Sequence, residues 1–312
     1  MISPQAQALW QAFAQAPKQA ELPLEARRQA GEQAETPTSE PVGVTNPAAP
    51  EVAGLWALPA QPRDGAAVLY LFGGGYVLGS PASRRKTAGH VANAAAARVL
   101  VPDYRLAPEH PFPAAIEDAV SAYEWMLDRG LDASEISLSG DSSGGGLVVS
   151  VLMTLEQRGL PRPGGAVLMC PWVDLALTLT PDAPEISRRF AAAYLGERSV
   201  DDPVVSPLTT DLSGLPPLLI QAATGDDRLA DANALVDRAR EHGVDARLDL
   251  YSVDAHVFQI FWSFLPEAAE ALKAAGDFAR EVTTSEPLPA ATAPRARAAS
   301  GPAARRPRAP RG

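Results

Sequence analysis

The chain has 312 residues, 46% of them hydrophobic, and a formal net charge of −10. That length and apolar content support a large buried core in one or two domains, and the acidic balance argues against a nucleic-acid-binding body. A single cysteine, Cys170, excludes an intrachain disulfide.

The chain opens with MISPQAQALWQAFAQAPKQ. This stretch has neither a basic leader nor a continuous apolar segment, so no secretion signal is expected. No run of 18 apolar residues predicts a membrane span, and the expected location is the cytoplasm. Leu9, Trp10, Phe13, Leu22 and Leu24 punctuate residues 1–36 among Ala, Gln and charged residues. That is the pattern of one or two amphipathic helices. A Pro-rich stretch, TPTSEPVGVTNPAAPE, follows.

From there apolar runs alternate with helical ones. Strands are expected over Ala66–Phe72, Val99–Tyr104, Ile136–Ser139, Ala166–Cys170, Leu218–Ala222 and Ala246–Tyr251. Helices are expected over Ser83–Ala97, Ala114–Asp128, Gly144–Gln157, Leu229–Glu241 and Phe258–Glu281. This alternation predicts an α/β fold with a mostly parallel central sheet and helices on both faces. Leu248 and Leu250 alternate with Arg247 and Asp249, which places the last strand near an edge.

Residues 175–210 break the rhythm with Pro181, Pro184, Pro203 and Pro207 around a short helical patch, EISRRFAAAYL. They read as an insertion above the sheet. Residues 283–312 hold six Arg, six Pro and one Glu with almost no large apolar residue. Such a stretch cannot build a core and is expected to be disordered. The expected division is therefore 1–45, 46–282 and 283–312.

Three stretches carry chemistry. The first is ISLSGDSSGGGLVVSVLM, where Gly140, Ser142 and Gly144 form G-x-S-x-G between an apolar strand and an apolar helix. A serine on such a sharp strand-to-helix turn projects its hydroxyl above the sheet, and its neighbours two before and two after must be tiny. The helix N-terminus beneath it favours negative charge. A serine hydroxyl needs an adjacent base, itself oriented by an acid. In this arrangement the chain order is Ser, then Asp or Glu, then His.

His242 and His256 follow Ser142. His242 sits in DRAREHGV at a charged helix end and reads as solvated surface. His256 lies in the loop after the last strand, where the base belongs. His90 and His110 precede Ser142 and do not fit the order. For the acid, IQAATGDDRLADA offers Asp226, Asp227 and Asp231 between a strand and a helix.

The third stretch is YLFGGGYVLGS, Tyr70–Ser80. Three glycines after an apolar run suit a loop that presents backbone N–H groups to a developing anion. A dinucleotide loop is a poor match, because Gly73, Gly75 and Gly79 are spaced one residue too long for G-x-G-x-x-G. No G-K-[ST] phosphate loop exists, and one Cys with four scattered His makes no zinc pattern. No cofactor or metal is expected.

These stretches, with DYRLAPEHPFPAAIEDA from Asp103, PWVDL from Pro171, DDPVVSPL from Asp201 and HVF at His256, resemble the hormone-sensitive-lipase family of α/β-hydrolases, the bacterial family IV esterases. The resemblance runs from about residue 50 to 280. It implies an α/β-hydrolase fold and a serine carboxylesterase of short to medium acyl esters. Ser142 is then the nucleophile and His256 the base. Aligned without gaps from the helix DANALVDRAREHGV, the family acid falls on Asp226. Asp227 reproduces a D-x-L-x-D spacing and is the alternative. Carried over by position, the oxyanion donors are the N–H groups of Gly73, Gly74 and Ser143. Ser143 stands where the family usually has Ala.

Phe72 departs further, because the family has a histidine there that helps to hold the loop. Packing by Phe72 is the expected substitute. The resemblance also implies a helical cap from the N-terminus and the 175–210 insertion, with Trp10 and Phe13 in it. Members often pair through the sheet edge near the last strand, so a homodimer enters as an implication. Two alternatives share the fold: a non-catalytic ligand-binding protein like the plant gibberellin receptors, and a hydrolase of amides, lactones or thioesters.

Overall fold

The computed structural model describes residues 3–15 and 22–283. The side chains of Trp10 and Phe13 and the Pro/Arg-rich residues 284–312 lie outside the described residues.

Among the described residues nine strands form one sheet: β1 (Val44–Thr45), β2 (Ala48–Ala49), β3 (Gly54–Pro59), β4 (Ala67–Leu71), β5 (Arg98–Val101), β6 (Ile136–Asp141), β7 (Gly165–Met169), β8 (Leu218–Ala223) and β9 (Ala246–Tyr251). Their order is β1-β3-β5-β4-β6-β7-β8-β9, with β2 also on β3. β1, β2 and β5 run antiparallel to β3. All pairs from β5 through β4 to β9 are parallel.

Every residue of β4, β6, β7 and β8 is buried. That explains their continuous apolar runs, since a parallel strand covered on both faces has no polar side to show. β9 is the edge strand, and Leu250 on it is 52% exposed. The described helices are α1 (Pro4–Gln15), α2 (Leu24–Glu32), α3 (Arg85–Ala95), α4 (Ala114–Asp128), α5 (Ser143–Arg158), α6 (Glu185–Leu195), α7 (Leu229–Glu241) and α8 (Pro266–Val282). α3 packs with α8, and α4 with α5, and all four helices also contact strands of the sheet.

Two expectations need correction. The helix expected over Phe258–Glu281 is split: a short 3₁₀ turn, Phe258–Phe261, precedes α8, which begins at Pro266. Proline lacks the N–H that an interior turn would use, so it suits a helix start. The strand β3 was not expected at all. Its sequence, GLWALP, begins with Gly, ends with Pro and shows no clean alternation of burial.

The parallel core positions the chemistry. β4 and β6 are direct neighbours, with Leu71 opposite Gly140. The glycine loop leaves the C-terminal end of β4, and Ser142 follows the C-terminal end of β6. The loops after β8 and β9 carry Asp226 and His256 to the same edge. In open α/β sheets ligands bind at that edge.

Candidate active site

Ser142 occupies the turn between β6 and α5 with φ 52° and ψ −123°. This is a rare backbone state for an L-residue and carries strain that the surrounding structure must hold. Its glycine neighbours are required sterically. A Cβ on Gly140 would lie 2.5 Å from the Gly144 carbonyl oxygen, and one on Gly144 would lie 2.1 Å from that of Leu71.

His256 brings Nε2 to 2.8 Å from Ser142 Oγ. Its Nδ1 lies 2.9 Å and 3.0 Å from the two Asp226 oxygens. The three sequence-distant residues thus form one hydrogen-bonded chain. Burial alone would raise the Asp226 pKa, but His256 and the Arg228 N–H favour its ionised form and hold it at about 2. The Arg228 N–H bond is 2.8 Å long.

The other two candidate acids make different contacts. Asp227 is half-exposed and pairs with Arg228 at 3.7 Å. Asp231 is buried and accepts the N–H groups of Val173 and Asp174, each at 2.9 Å. It staples the PWVDL loop to α7, and burial pushes its pKa up to about 6 against those two bonds. His242 is not solvated surface as expected. Its Nδ1 accepts the Leu212 N–H at 2.7 Å, and its side chain is largely buried.

The glycine loop differs from the expectation at one position. The Gly73 N–H is already donated to Asp141 Oδ1 at 3.0 Å. This bond engages the Gly73 N–H with a buried carboxylate, which corrects Gly73 from a free donor to a loop anchor. Gly74 and Gly75 line the cavity beside Ser142. Among the described residues none accepts from their N–H groups, nor from that of Ser143 in the first turn of α5. Ser143 also contributes through its side chain, whose Oγ accepts the Tyr76 N–H at 3.2 Å and ties the loop to α5.

Phe72 is fully buried, and its ring stacks on Tyr104 at 4.1 Å and 14°. Burying such a ring contributes about 1.5–3 kcal/mol. The Tyr104 hydroxyl donates to the Phe72 carbonyl. Ala107 N donates to Tyr76 O at 2.9 Å, so DYRLAP braces both ends of the loop.

These groups meet in a cavity of about 410 Å³. Trp172 from the PWVDL loop, Phe190 from α6 and Ala34 from the N-terminal segment also line it. Phe190 lies directly on the loop, since a Cβ on Gly75 would come 2.3 Å from its ring. Cys170 Sγ, Asp226 and His256 approach within 4.8 Å of one another, a geometry a metal ion could use. Burial pushes the Cys170 thiol up, however, and both His256 nitrogens already face protein partners.

A strand–turn–helix serine, a histidine after the last strand and a cavity at the sheet's C-terminal edge define an α/β-hydrolase. Known proteins agree. A family model described as alpha/beta hydrolase fold matches residues 68–260. An acetyl-hydrolase of Streptomyces hygroscopicus is 41% identical over 238 residues, which span 73% of this chain and 79% of that protein.

A solved esterase of the bacterial hormone-sensitive lipase family superposes with a TM-score of 0.84 at 38% identity, covering 91% of this chain and 100% of that one. The esterase EstE5, solved after soaking with p-nitrophenyl butyrate, gives 0.83 at 37% identity and covers 89% and 98%. The chain belongs to the hormone-sensitive-lipase family of α/β-hydrolases.

Proposed function

We propose that this protein is a serine carboxylesterase acting on short to medium acyl esters. The observation that carries this reading is the Ser142–His256–Asp226 chain, with 2.8 Å between Oγ and Nε2 and 2.9 Å between Nδ1 and the nearer carboxylate oxygen. Ser142 attacks the ester carbonyl while His256 takes its proton. Asp226 fixes the imidazole and stabilises its cationic form. Gly74, Gly75 and Ser143 supply the N–H groups for the oxyanion, each worth about 10²–10³ in rate. Water then cleaves the acyl-enzyme with the same base.

Residues 1–45 and the insertion at 175–210 form the cap in this reading, which Ala34 and Phe190 at the cavity wall support. The ring of Phe190 against Gly75 keeps the pocket short. No helix among the described residues is long and apolar enough to cross a membrane. A cytoplasmic enzyme that pairs through β9 completes the reading, and the exposed Leu250 supports the pairing.

Hydrolysis of p-nitrophenyl esters from acetate to dodecanoate tests this directly. Turnover is expected to peak at or below hexanoate and to vanish in Ser142→Ala, together with labelling by a fluorophosphonate. A folded wild-type chain that neither cleaves these esters nor takes the label refutes the reading.

A further inference from the structure

Asp141, next to Ser142 in the chain, is the hub of a buried polar cluster. Its side chain is 0% exposed. Oδ1 accepts the Tyr70 hydroxyl at 2.9 Å and the Gly73 N–H at 3.0 Å. Oδ2 accepts from Arg84 Nε at 3.1 Å. A Cβ on Gly73 would lie 2.4 Å from Asp141 Oδ2 and 3.0 Å from Ser142 Cβ. The carboxylate therefore stands against both the glycine loop and the nucleophile turn.

Arg84 is itself buried, 8% exposed, and lines the cavity. Its Nη1 donates to the Ser83 carbonyl at 3.2 Å. It directly precedes α3, whose first turn is held by Glu35. That carboxylate is also buried and accepts the Lys86 and Thr87 N–H groups at 2.9 Å and 3.1 Å. Lys86 Nζ returns to the Glu35 carbonyl at 3.1 Å. A line of contacts thus runs from the N-terminal segment through the start of α3 to Asp141 and the loop.

The loop lacks a polar side chain of its own at Phe72, which holds it only by packing and through its backbone. The polar tie comes from Asp141. We propose that Arg84 is a positioning residue for ester hydrolysis: it fixes Asp141, which fixes Gly73 and so aims the N–H groups of Gly74 and Gly75 at the oxyanion. This rests on the esterase reading above. A donor displaced by a fraction of an ångström matters mainly in the transition state, so Arg84 acts on kcat rather than on KM. Residues that act through one another are non-additive when both are changed.

The test is a double-mutant cycle of Arg84→Gln and Asp141→Asn, with Arg84→Lys alongside, on p-nitrophenyl butyrate. Arg84→Gln is expected to lower kcat about 10- to 100-fold, less than complete loss of a donor, with KM within about threefold. The fluorophosphonate labelling rate falls in parallel. Arg84→Lys, which keeps a cation for Oδ2, recovers most of the loss. In the Asp141→Asn background the same Arg84→Gln change alters kcat less than about threefold. An equal kcat loss in both backgrounds, or an effect confined to KM, overturns the proposal. If Arg84→Gln does not fold, Arg84→Lys is carried through the same cycle, and its smaller kcat loss must likewise disappear beside Asp141→Asn. A wild type that cleaves esters while the cycle is additive refutes the role of Arg84 alone; a wild type that cleaves none refutes the esterase reading.

Discussion

His256 is under two opposing influences. Desolvation disfavours its imidazolium although the side chain is 36% exposed, while the Asp226 carboxylate favours it, and the net pKa lies above the ordinary 6.5. Asp226 is held at about 2, so it stays ionised wherever the imidazole titrates. A base must be neutral to take the Ser142 proton. The expected kcat/KM therefore falls as pH drops through the raised value, and its acid limb lies above pH 6.5. Asp226→Asn removes the main carboxylate that raises the imidazole while the partial desolvation remains. The residual acid limb moves to lower pH, and kcat falls by about 10⁴, the loss seen when a triad acid becomes an amide. Asp227→Asn breaks a half-exposed ion pair with Arg228 and removes a lesser contribution to the raised imidazole, and costs no more than about fivefold. A pH–rate profile of the two variants separates them. An Asp227→Asn loss as large as that of Asp226→Asn refutes the assignment. The sequence left this choice open because both acids sit in one turn. The decision depends on which carboxylate points at a loop 30 residues away, and no local pattern encodes that.

At the scale of elements, the strands that support the site were legible because burial on both faces writes itself as an unbroken apolar run. The nucleophile turn was legible for a steric reason: only glycine fits at Gly140 and Gly144. β3 and the break before α8 were not. β3 lies beside a Pro-rich stretch and is held by antiparallel pairing rather than by its own pattern. The break falls among Phe, Ile, Trp and Leu, whose apolar character also suits a helix. The anchoring of the glycine loop escaped for another reason. Gly73 looks like its neighbours, and its N–H is taken by a side chain 68 residues away. The short helix α6 was recognised as a helical patch, but its role emerges only from where Phe190 falls, against Gly75 at the cavity wall. Phe190→Ala opens that wall without touching the reacting groups. It is expected to raise kcat/KM for p-nitrophenyl octanoate relative to butyrate about tenfold, the worth of one or two accommodated methylenes. An unchanged chain-length profile places the limiting wall elsewhere.

At the scale of the whole molecule, the question is where the folded unit ends. The last helix, α8, closes against α3 on one face of the sheet. Val282 at its end packs on the start of β7, where a Cβ on Gly165 would lie 2.6 Å from Val282 Cγ2. Thr283 is buried as well. Its carbonyl and hydroxyl oxygens accept from Arg63 Nη1 and Nη2 at 3.1 Å and 2.7 Å. Arg63 follows β3 in the chain, so this contact ties the end of α8 to the segment between β3 and β4. The division expected from composition counts Thr283 with 283–312, whereas its buried contacts join it to α8; residues 284–312 hold six arginines and no comparable apolar content. A chain truncated after Thr283 keeps every contact named here and places its new carboxylate beside Arg63. Its thermal midpoint is expected to stay within about 2 °C of the full chain and its kcat/KM within about twofold. Thr283→Ala in that truncated chain removes the hydroxyl partner of the partly buried Arg63 guanidinium. It is expected to lower the midpoint by about 1–6 °C, at roughly 0.5–1.5 kcal/mol for the bond. Calorimetry with parallel ester assays checks both. A large activity loss on truncation assigns the arginine-rich segment a part in the site, and a Thr283→Ala variant as stable as its parent moves the end of the folded unit back into α8.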